Sequence, residues 1–213
     1  MIKILVATRN LKKINELSEF LDKNLFSLSN LDELNIDFTV EETGNTFEEN
    51  ATLKAEQYGG QSSLLTIADD SGLEVALLNG APGVFSARYG GEGKTDKDRN
   101  DFLIQNLQPF KDQEIFAKFV CVIAIWVPQL LMIKTFKGEI EGKIHFKPRG
   151  SNGFGYDPLF YIPSKNKTFA EMSLSEKQRI SHRGQAMAKA VELLYKLSKS
   201  NYDEKNESGR PIQ

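Results

Sequence analysis

Two short acidic pairs are the first candidates for chemistry. Glu41-Glu42-Thr43-Gly44 and Asp69-Asp70-Ser71-Gly72 each set adjacent carboxylates just ahead of small residues. A hard divalent cation such as Mg²⁺ takes oxygen ligands, commonly one or two carboxylates with substrate phosphates and waters completing the shell. Turn chemistry accounts for Asp-Ser-Gly, but not for two aspartates together where an apolar run ends.

Three further segments supply the partners such a metal would need. Thr8, Arg9, Asn10, Leu11, Lys12 and Lys13 follow an apolar run and lead into an amphipathic stretch, so free N–H groups and cations meet at one helix start. That combination suits phosphate. Arg149-Gly150-Ser151-Asn152-Gly153-Phe154-Gly155-Tyr156-Asp157-Pro158 puts an aromatic between two glycines, where its face can stack on a nucleobase. Tyr156 is read instead as the anchor of this loop to the core. Lys177 is followed by Ser181-His182-Arg183-Gly184, entering the last helix, where His182 and Arg183 offer hydrogen-bond donors for a keto oxygen. Two look-alikes carry nothing. Gly93-Lys94-Thr95 has Arg88 where a P-loop needs glycine, and Gly150 to Gly155 is spaced G-x-x-G-x-G, not as a dinucleotide-binding loop.

The elements that must position these residues read as follows. Ile2 to Ala7 is a short buried strand, and a helix follows with Ile14, Leu17, Phe20 and Leu21 on one stripe. Thr46-Phe47-Glu48-Glu49 has capping-box spacing and opens a second helix carrying Ala51, Ala55 and Tyr58. Leu64 to Ala68 is a second strand, expected to end at Asp69. Residues 80–95 form a glycine-rich loop and 97–107 a helix. Phe116–Val127, Leu130–Phe136 and Glu139–Phe146 then read as consecutive antiparallel strands. Ala186, Ala190, Leu193, Leu194 and Leu197 mark the closing helix, and the polar segment from Ser198 is expected to be disordered. The result is an α/β fold: one mixed sheet with an antiparallel section, and one domain over residues 1–197.

Composition excludes several classes of function. A net charge of −2 over 213 residues provides no field for nucleic acid or an anionic membrane. The single cysteine, Cys121, rules out an intrachain disulfide and fits a reducing compartment. The N-terminal apolar run is too short for a signal peptide or a membrane span, so a cytoplasmic location is expected.

Taken in order, these segments resemble the inosine/xanthosine triphosphate pyrophosphatase family, the Ham1-like sanitisers of the nucleotide pool. The resemblance runs from residue 4 to about residue 195. It rests on Ala7-Thr8 with Asn10 and Lys13, Glu42-Thr43-Gly44 with Thr46-Phe47, Glu49-Asn50-Ala51, Lys54-Ala55 and Ala68-Asp69-Asp70-Ser71-Gly72-Leu73. Gly80-Ala81-Pro82-Gly83-Val84, Ser86-Ala87-Arg88-Tyr89, Gly153 to Pro158 and Ile180 to Gly184 complete it. Lys12 and Ser151-Asn152 depart from the usual pattern, at no position assigned to metal.

The resemblance implies helices on both sides of a twisted sheet, two lobes flanking a central cleft, a homodimer and Mg²⁺ dependence. It implies hydrolysis of non-canonical purine triphosphates (ITP, dITP, XTP) to the monophosphate and pyrophosphate. Thr8 to Lys13 and Lys54 would hold phosphates, and Glu42 and Asp70 the metal. Asp70 would accept the proton, with Asp69 the alternative. Ser71 would touch the nucleotide, and Phe154, Gly155, Tyr156, Asp157, Lys177, His182 and Arg183 would hold sugar and base. The rival readings are a Maf-type pyrophosphatase of other specificity and a nucleotide sensor without catalysis.

Overall fold

β1 (Ile2–Val6), β2 (Phe26–Asn30), β3 (Leu65–Val75), β4 (Phe116–Val127), β5 (Met132–Ile144), β6 (Phe160–Ile162) and β7 (Lys167–Thr168) form one seven-stranded sheet in the order β2-β1-β3-β4-β5-β6-β7. This is a computed structural model that describes the backbone of residues 1–207 and the side chains of residues 1–199. β2, β1 and β3 run parallel, and β3 to β7 pair antiparallel. The helices are α1 (Leu11–Ser18), α2 (Phe47–Ser62), α3 (Asp96–Leu107), α4 (Leu174–Gln178) and α5 (His182–Glu207).

Helices cover both faces, as the mixed α/β reading requires. Ile4, Val6, Ile67, Cys121 and Ile123 pack with Leu17 of α1 and with Ala186, Met187, Ala190 and Leu194 of α5. Leu5, Ala68, Val120, Val122 and Ala124 point to the other face, against Phe47, Ala51 and Ala55 of α2. A second lobe gathers Leu73, Val75, Leu103, Leu107, Phe119, Phe160 and Phe169 around α3 and the far end of the long strands. β4 is covered on both faces, which is why its apolar run hardly alternates. α2 starts where its capping box requires: Thr46 accepts from the Glu49 N–H, and the Glu49 side chain accepts from the Thr46 N–H.

Three expectations need correction, and one strand carries no signal in the sequence. β3 does not stop at Asp69 but continues to Val75, because β4 lies beside it from Thr66↔Trp126 to Val75↔Ala117 and supplies the ladder. β5 is one strand, not two, and Gly138 inside it is no turn. A Cβ there would come within 2.1 Å of the His182 carbonyl oxygen, so this glycine lets α5 lie close on the sheet. β2 escapes the apolar pattern because its FSLSN sequence is half polar on an edge strand. Finally, α5 extends through Glu207, although disorder was expected from Ser198. The helix-breaking Gly209 and Pro211 come only later. The last part of that expectation, residues 208–213, lies outside the described residues. No helix among the described residues is long and apolar enough to cross a membrane.

Candidate active site

β1 stops at Val6 and pairs with β3 only as far as Ile67. On that side β3 next meets backbone at the Glu74–Pro82 bridge. Between these points the β3 edge is open at the carboxyl end of the parallel strands, where open α/β sheets bind ligands. A ligand across this edge can touch side chains on both faces. Successive residues of a strand point to opposite faces, so Asp69 and Asp70 serve different surroundings.

Asp70 points to the α2 face. Lys54 Nζ lies 3.1 Å from its Oδ1 and 2.6 Å from Glu42 Oε1, so two carboxylates from distant segments converge on one ammonium. Asn50 Nδ2 donates to Asp70 Oδ2 at 3.3 Å, and Asn50 Oδ1 accepts from the Gly44 N–H at 2.8 Å. Arg88 reaches Glu42 at 3.5 Å. Burial and the Glu42 charge raise the Asp70 carboxyl against the pull of Lys54. Glu42 also meets a burial penalty, but Lys54, Lys13 and Arg88 outweigh it and hold the carboxyl below its ordinary value. The shared ammonium sits closer to Glu42 and leaves Asp70 under-compensated. Glu41 is exposed and lies outside this group.

Asp69 points to the α1–α5 face and is fully enclosed. Lys13 Nζ lies 3.0 Å from Oδ1, and Arg183 donates to Oδ2 from Nη2 at 3.0 Å and Nε at 3.3 Å. Burial would raise this carboxyl, but Lys13 and Arg183 drive it far below the carboxylate range. Arg183 Nη2 also donates to Ser71 Oγ at 2.8 Å, and Nη1 donates to Glu16. Of its five N–H donors, one on Nη1 has no partner among the described residues.

Glu16, a buried residue of α1, also accepts from Lys177 Nζ at 2.9 Å, and Lys177 donates to Asp157 at 2.6 Å. Glu16 was missed in the sequence because nothing marks it there beyond an acidic residue one turn past the lysines. The interleaved Glu16, Asp69 and Asp157 with Lys13, Lys177 and Arg183 balance in charge, which lets all six be buried or nearly so.

The Gly-rich loop closes the cavity. Asp157 accepts from the Phe154 N–H at 2.9 Å. Gly153 has φ +74°, and a Cβ there would meet Asp157 Oδ2 at 2.0 Å, so this turn admits no side chain. The Phe154 ring lies 5.0 Å from Lys177 Nζ and 5.5 Å from the Arg183 guanidinium. Tyr156 is buried and donates to the Ser86 carbonyl at 2.9 Å, the anchoring role expected of it. His182 is buried and stacks on Phe119, with centroids 4.6 Å apart and planes at 9°. Burial and the neighbouring Arg183 and Lys177 lower its pKa well below the ordinary value, so the ring is neutral. The cavity between these groups holds about 120 Å³. That is below the roughly 300 Å³ at which drug-sized pockets begin, and it suits a flat base with its polyphosphate outside.

The N–H groups of the phosphate segment, expected to be free at the helix start, are largely capped from within the segment. Asn10 caps α1, its Oδ1 accepting from the N–H groups of Lys12 and Lys13, and Thr8 Oγ1 accepts from the Asn10 N–H at 3.1 Å. Lys12 reaches the Gly153 carbonyl at 3.1 Å. The Arg9 side chain turns elsewhere, to Asp32 at 3.2 Å and the Ile36 carbonyl at 2.6 Å, and Leu11 is exposed.

A model of the Ham1 family matches residues 4–193. The dITP/XTP pyrophosphatase of Staphylococcus epidermidis is 49% identical, covering 91% of this chain and 97% of that protein. That of Bacillus subtilis is 41% identical, covering 91% and 98%. Among solved structures, a HAM1 protein from Coxiella burnetii superposes with TM-score 0.83 at 42% identity, covering 92% of this chain and 100% of that one. The Staphylococcus aureus Ham1 protein does so with TM-score 0.80 at 44% identity, covering 91% and 98%.

Proposed function

The chain belongs to the Ham1 family, and from that premise we propose how its cleft handles a nucleotide. The protein is a nucleoside-triphosphate pyrophosphatase that hydrolyses non-canonical purine triphosphates, as its dITP/XTP pyrophosphatase relatives do. The observation that carries the site assignment is the meeting of Glu42 and Asp70 on Lys54, at the open edge of β3 and across that strand from the base-sized cavity.

Glu42 and Asp70 would hold Mg²⁺. No cluster of three His, Cys, Asp or Glu side chains suited to a metal occurs among the described residues. A pair of carboxylates is nonetheless the set that Mg²⁺ uses when phosphates and water complete its shell. The raised Asp70 carboxyl marks a place short of positive charge. When bound, Mg²⁺ supplies charge neutralisation on the phosphate oxygens. Lys54 and Lys13 clamp the polyphosphate beside the Asn10-capped start of α1, and water attacks in line to release pyrophosphate. Asp70 orients that water from the open edge of β3 and accepts its proton. Asp69 is a poor base and serves to hold Lys13 and Arg183.

The base enters beside Phe154, whose ring stacks on it, with Gly155, Asp157, Lys177, His182 and Arg183 around its rim. The last free N–H of Arg183 and the Lys177 ammonium face a C6 keto oxygen as donors. Adenine would present an amine there, donor against donor, a mismatch worth roughly 10⁴-fold. A cytoplasmic homodimer completes the proposal. Its support is Phe85, 56% exposed beside a groove lined by Val84, Val120 and Lys137, which a second copy could cover.

The test is pyrophosphate release from inosine, xanthosine, guanosine and adenosine triphosphates, each with and without Mg²⁺. Hydrolysis of the inosine and xanthosine compounds far faster than of adenosine triphosphate, and only with Mg²⁺, is expected. Equal rates on all four refute the specificity, and binding without release would make the protein a sensor.

A further inference from the structure

α3 belongs to the second lobe and takes no part in the scheme above, yet two of its side chains grip the base loop. Asp96, the first residue of α3, accepts from the Gly155 N–H through Oδ2 at 2.8 Å. Asn100, one turn later, donates from Nδ2 to the Gly155 carbonyl at 3.1 Å. Residues at i and i+4 share one face of a helix, so the two side chains meet the N–H and the C=O of one residue, as a neighbouring strand would.

We propose that Asp96 and Asn100 are positioning residues of the base subsite: by clamping Gly155 they set the Phe154 ring over Lys177 and Arg183. The inference rests on reading the cavity as the place of the base.

Three observations support it. First, Asp96 lines the cavity yet leaves no carboxylate oxygen free to face a ligand there. Its two oxygens are both engaged, Oδ2 by Gly155 and Oδ1 by Arg99, and the arginine neutralises its charge. Second, Asn100 is 6% exposed, and its Oδ1 is buried without a hydrogen-bond partner among the described residues. A half-satisfied buried amide is unfavourable, and the bond it does make goes to Gly155. Third, the neighbouring loop residues are bonded elsewhere. Asp157 accepts from the Phe154 N–H and donates from its own N–H to the Phe154 carbonyl at 3.2 Å. Lys12 reaches the Gly153 carbonyl and Tyr156 reaches Ser86, so the Gly155 N–H and carbonyl are left to α3 among the described residues. Leu103 and Leu107 seat α3 in the second lobe, so the clamp ties the stacking ring to that lobe.

The experiment measures kcat and KM for dITP in Asp96→Ala, Asp96→Asn, Asn100→Ala, Phe154→Ala and the double variant Asp96→Ala/Phe154→Ala. It is joined by hydrogen exchange of peptide 150–158 in the nucleotide-free protein. Loss of a charge-assisted hydrogen bond should raise KM about tenfold in Asp96→Ala and several-fold in Asn100→Ala, with kcat within about twofold. Asp96→Asn should recover most of the KM, since an amide oxygen still accepts from Gly155. With Phe154 gone, Asp96→Ala should change KM less than about twofold more, because its effect passes through the ring. The loop peptide should exchange faster in Asp96→Ala.

The clamp is refuted if Asp96→Ala has its full effect in the Phe154→Ala background, if Asp96→Asn is as impaired as Asp96→Ala, or if exchange of the loop is unchanged. A Phe154→Ala variant with normal KM would sink the base-subsite reading instead, and the exchange measurement would still decide the clamp.

Discussion

Asp69 and Asp70 are adjacent in sequence, and the same substitution at each should have opposite consequences. Asp69→Asn removes the charge that holds Lys13 at 3.0 Å and Arg183 at 3.0 Å inside the α1–α5 face. Breaking a buried ion pair in this way costs about 3–5 kcal/mol. For a domain of this size, where 1 kcal/mol moves Tm by about 2–4 °C, Tm should fall by about 10 °C. Asp70→Asn acts on a carboxyl that burial and Glu42 have shifted upward, so its ionised form is less favourable folded than unfolded. The neutral amide removes that penalty, and Lys54 keeps Glu42 at 2.6 Å. Stability should therefore hold or rise slightly.

Turnover should behave the other way. Without its proton acceptor, Asp70→Asn should lose about 10²–10⁴ in kcat, or roughly 3–5 kcal/mol of barrier, while still binding nucleotide. Folded Asp69→Asn should keep kcat within about tenfold, with KM raised because Lys13 and Arg183 lose their anchor. Thermal unfolding and pyrophosphate release from dITP, measured on both variants, are the assays. Near-normal turnover in Asp70→Asn would remove that residue from the chemistry. Equal effects of the two substitutions on both measurements would refute the division of the site across the two faces of β3.

Three further outcomes follow from the same network. Glu16→Gln should weaken the hold on Lys177 and Arg183, costing about 3 kcal/mol in urea unfolding and narrowing the preference for XTP over ATP; unchanged stability and preference would make Glu16 incidental. His182 has a folded pKa well below its unfolded 6.5, so the stability tied to its neutral form is present above pH 6.5 and lost as pH falls toward the folded value. Between pH 6.5 and 5.5 the wild type should lose about 1 kcal/mol more than His182→Gln, and parallel pH curves would count against a buried neutral ring. Chelation of Mg²⁺ should abolish hydrolysis, and Glu42→Gln should shift the Mg²⁺ concentration for half-activity upward about tenfold or more; an unshifted titration would take Glu42 out of the metal site.

Much was legible in the sequence because the signals are local. Caps and turns act over three or four residues, so Thr46 with Glu49, the Gly153–Tyr156 loop and the start of α1 at Asn10 announce themselves. The family resemblance added which of these segments belong together, and the mixed sheet and the enzyme class followed. Tertiary structure alone decided how β3 is used. Its continuation past Asp69 depends on β4, almost fifty residues away, and a strand's two faces acquire meaning only when helices cover them. Hence Asp69 met Lys13 and Arg183 while Asp70 met Lys54 and Glu42, and hence Glu16 became the counter-charge of Lys177 and Arg183. Likewise the turn of Arg9 toward Asp32 and the grip of α3 on Gly155 join residues far apart along the chain. Charge pairing inside a protein is set by distance in space, and no local pattern encodes it.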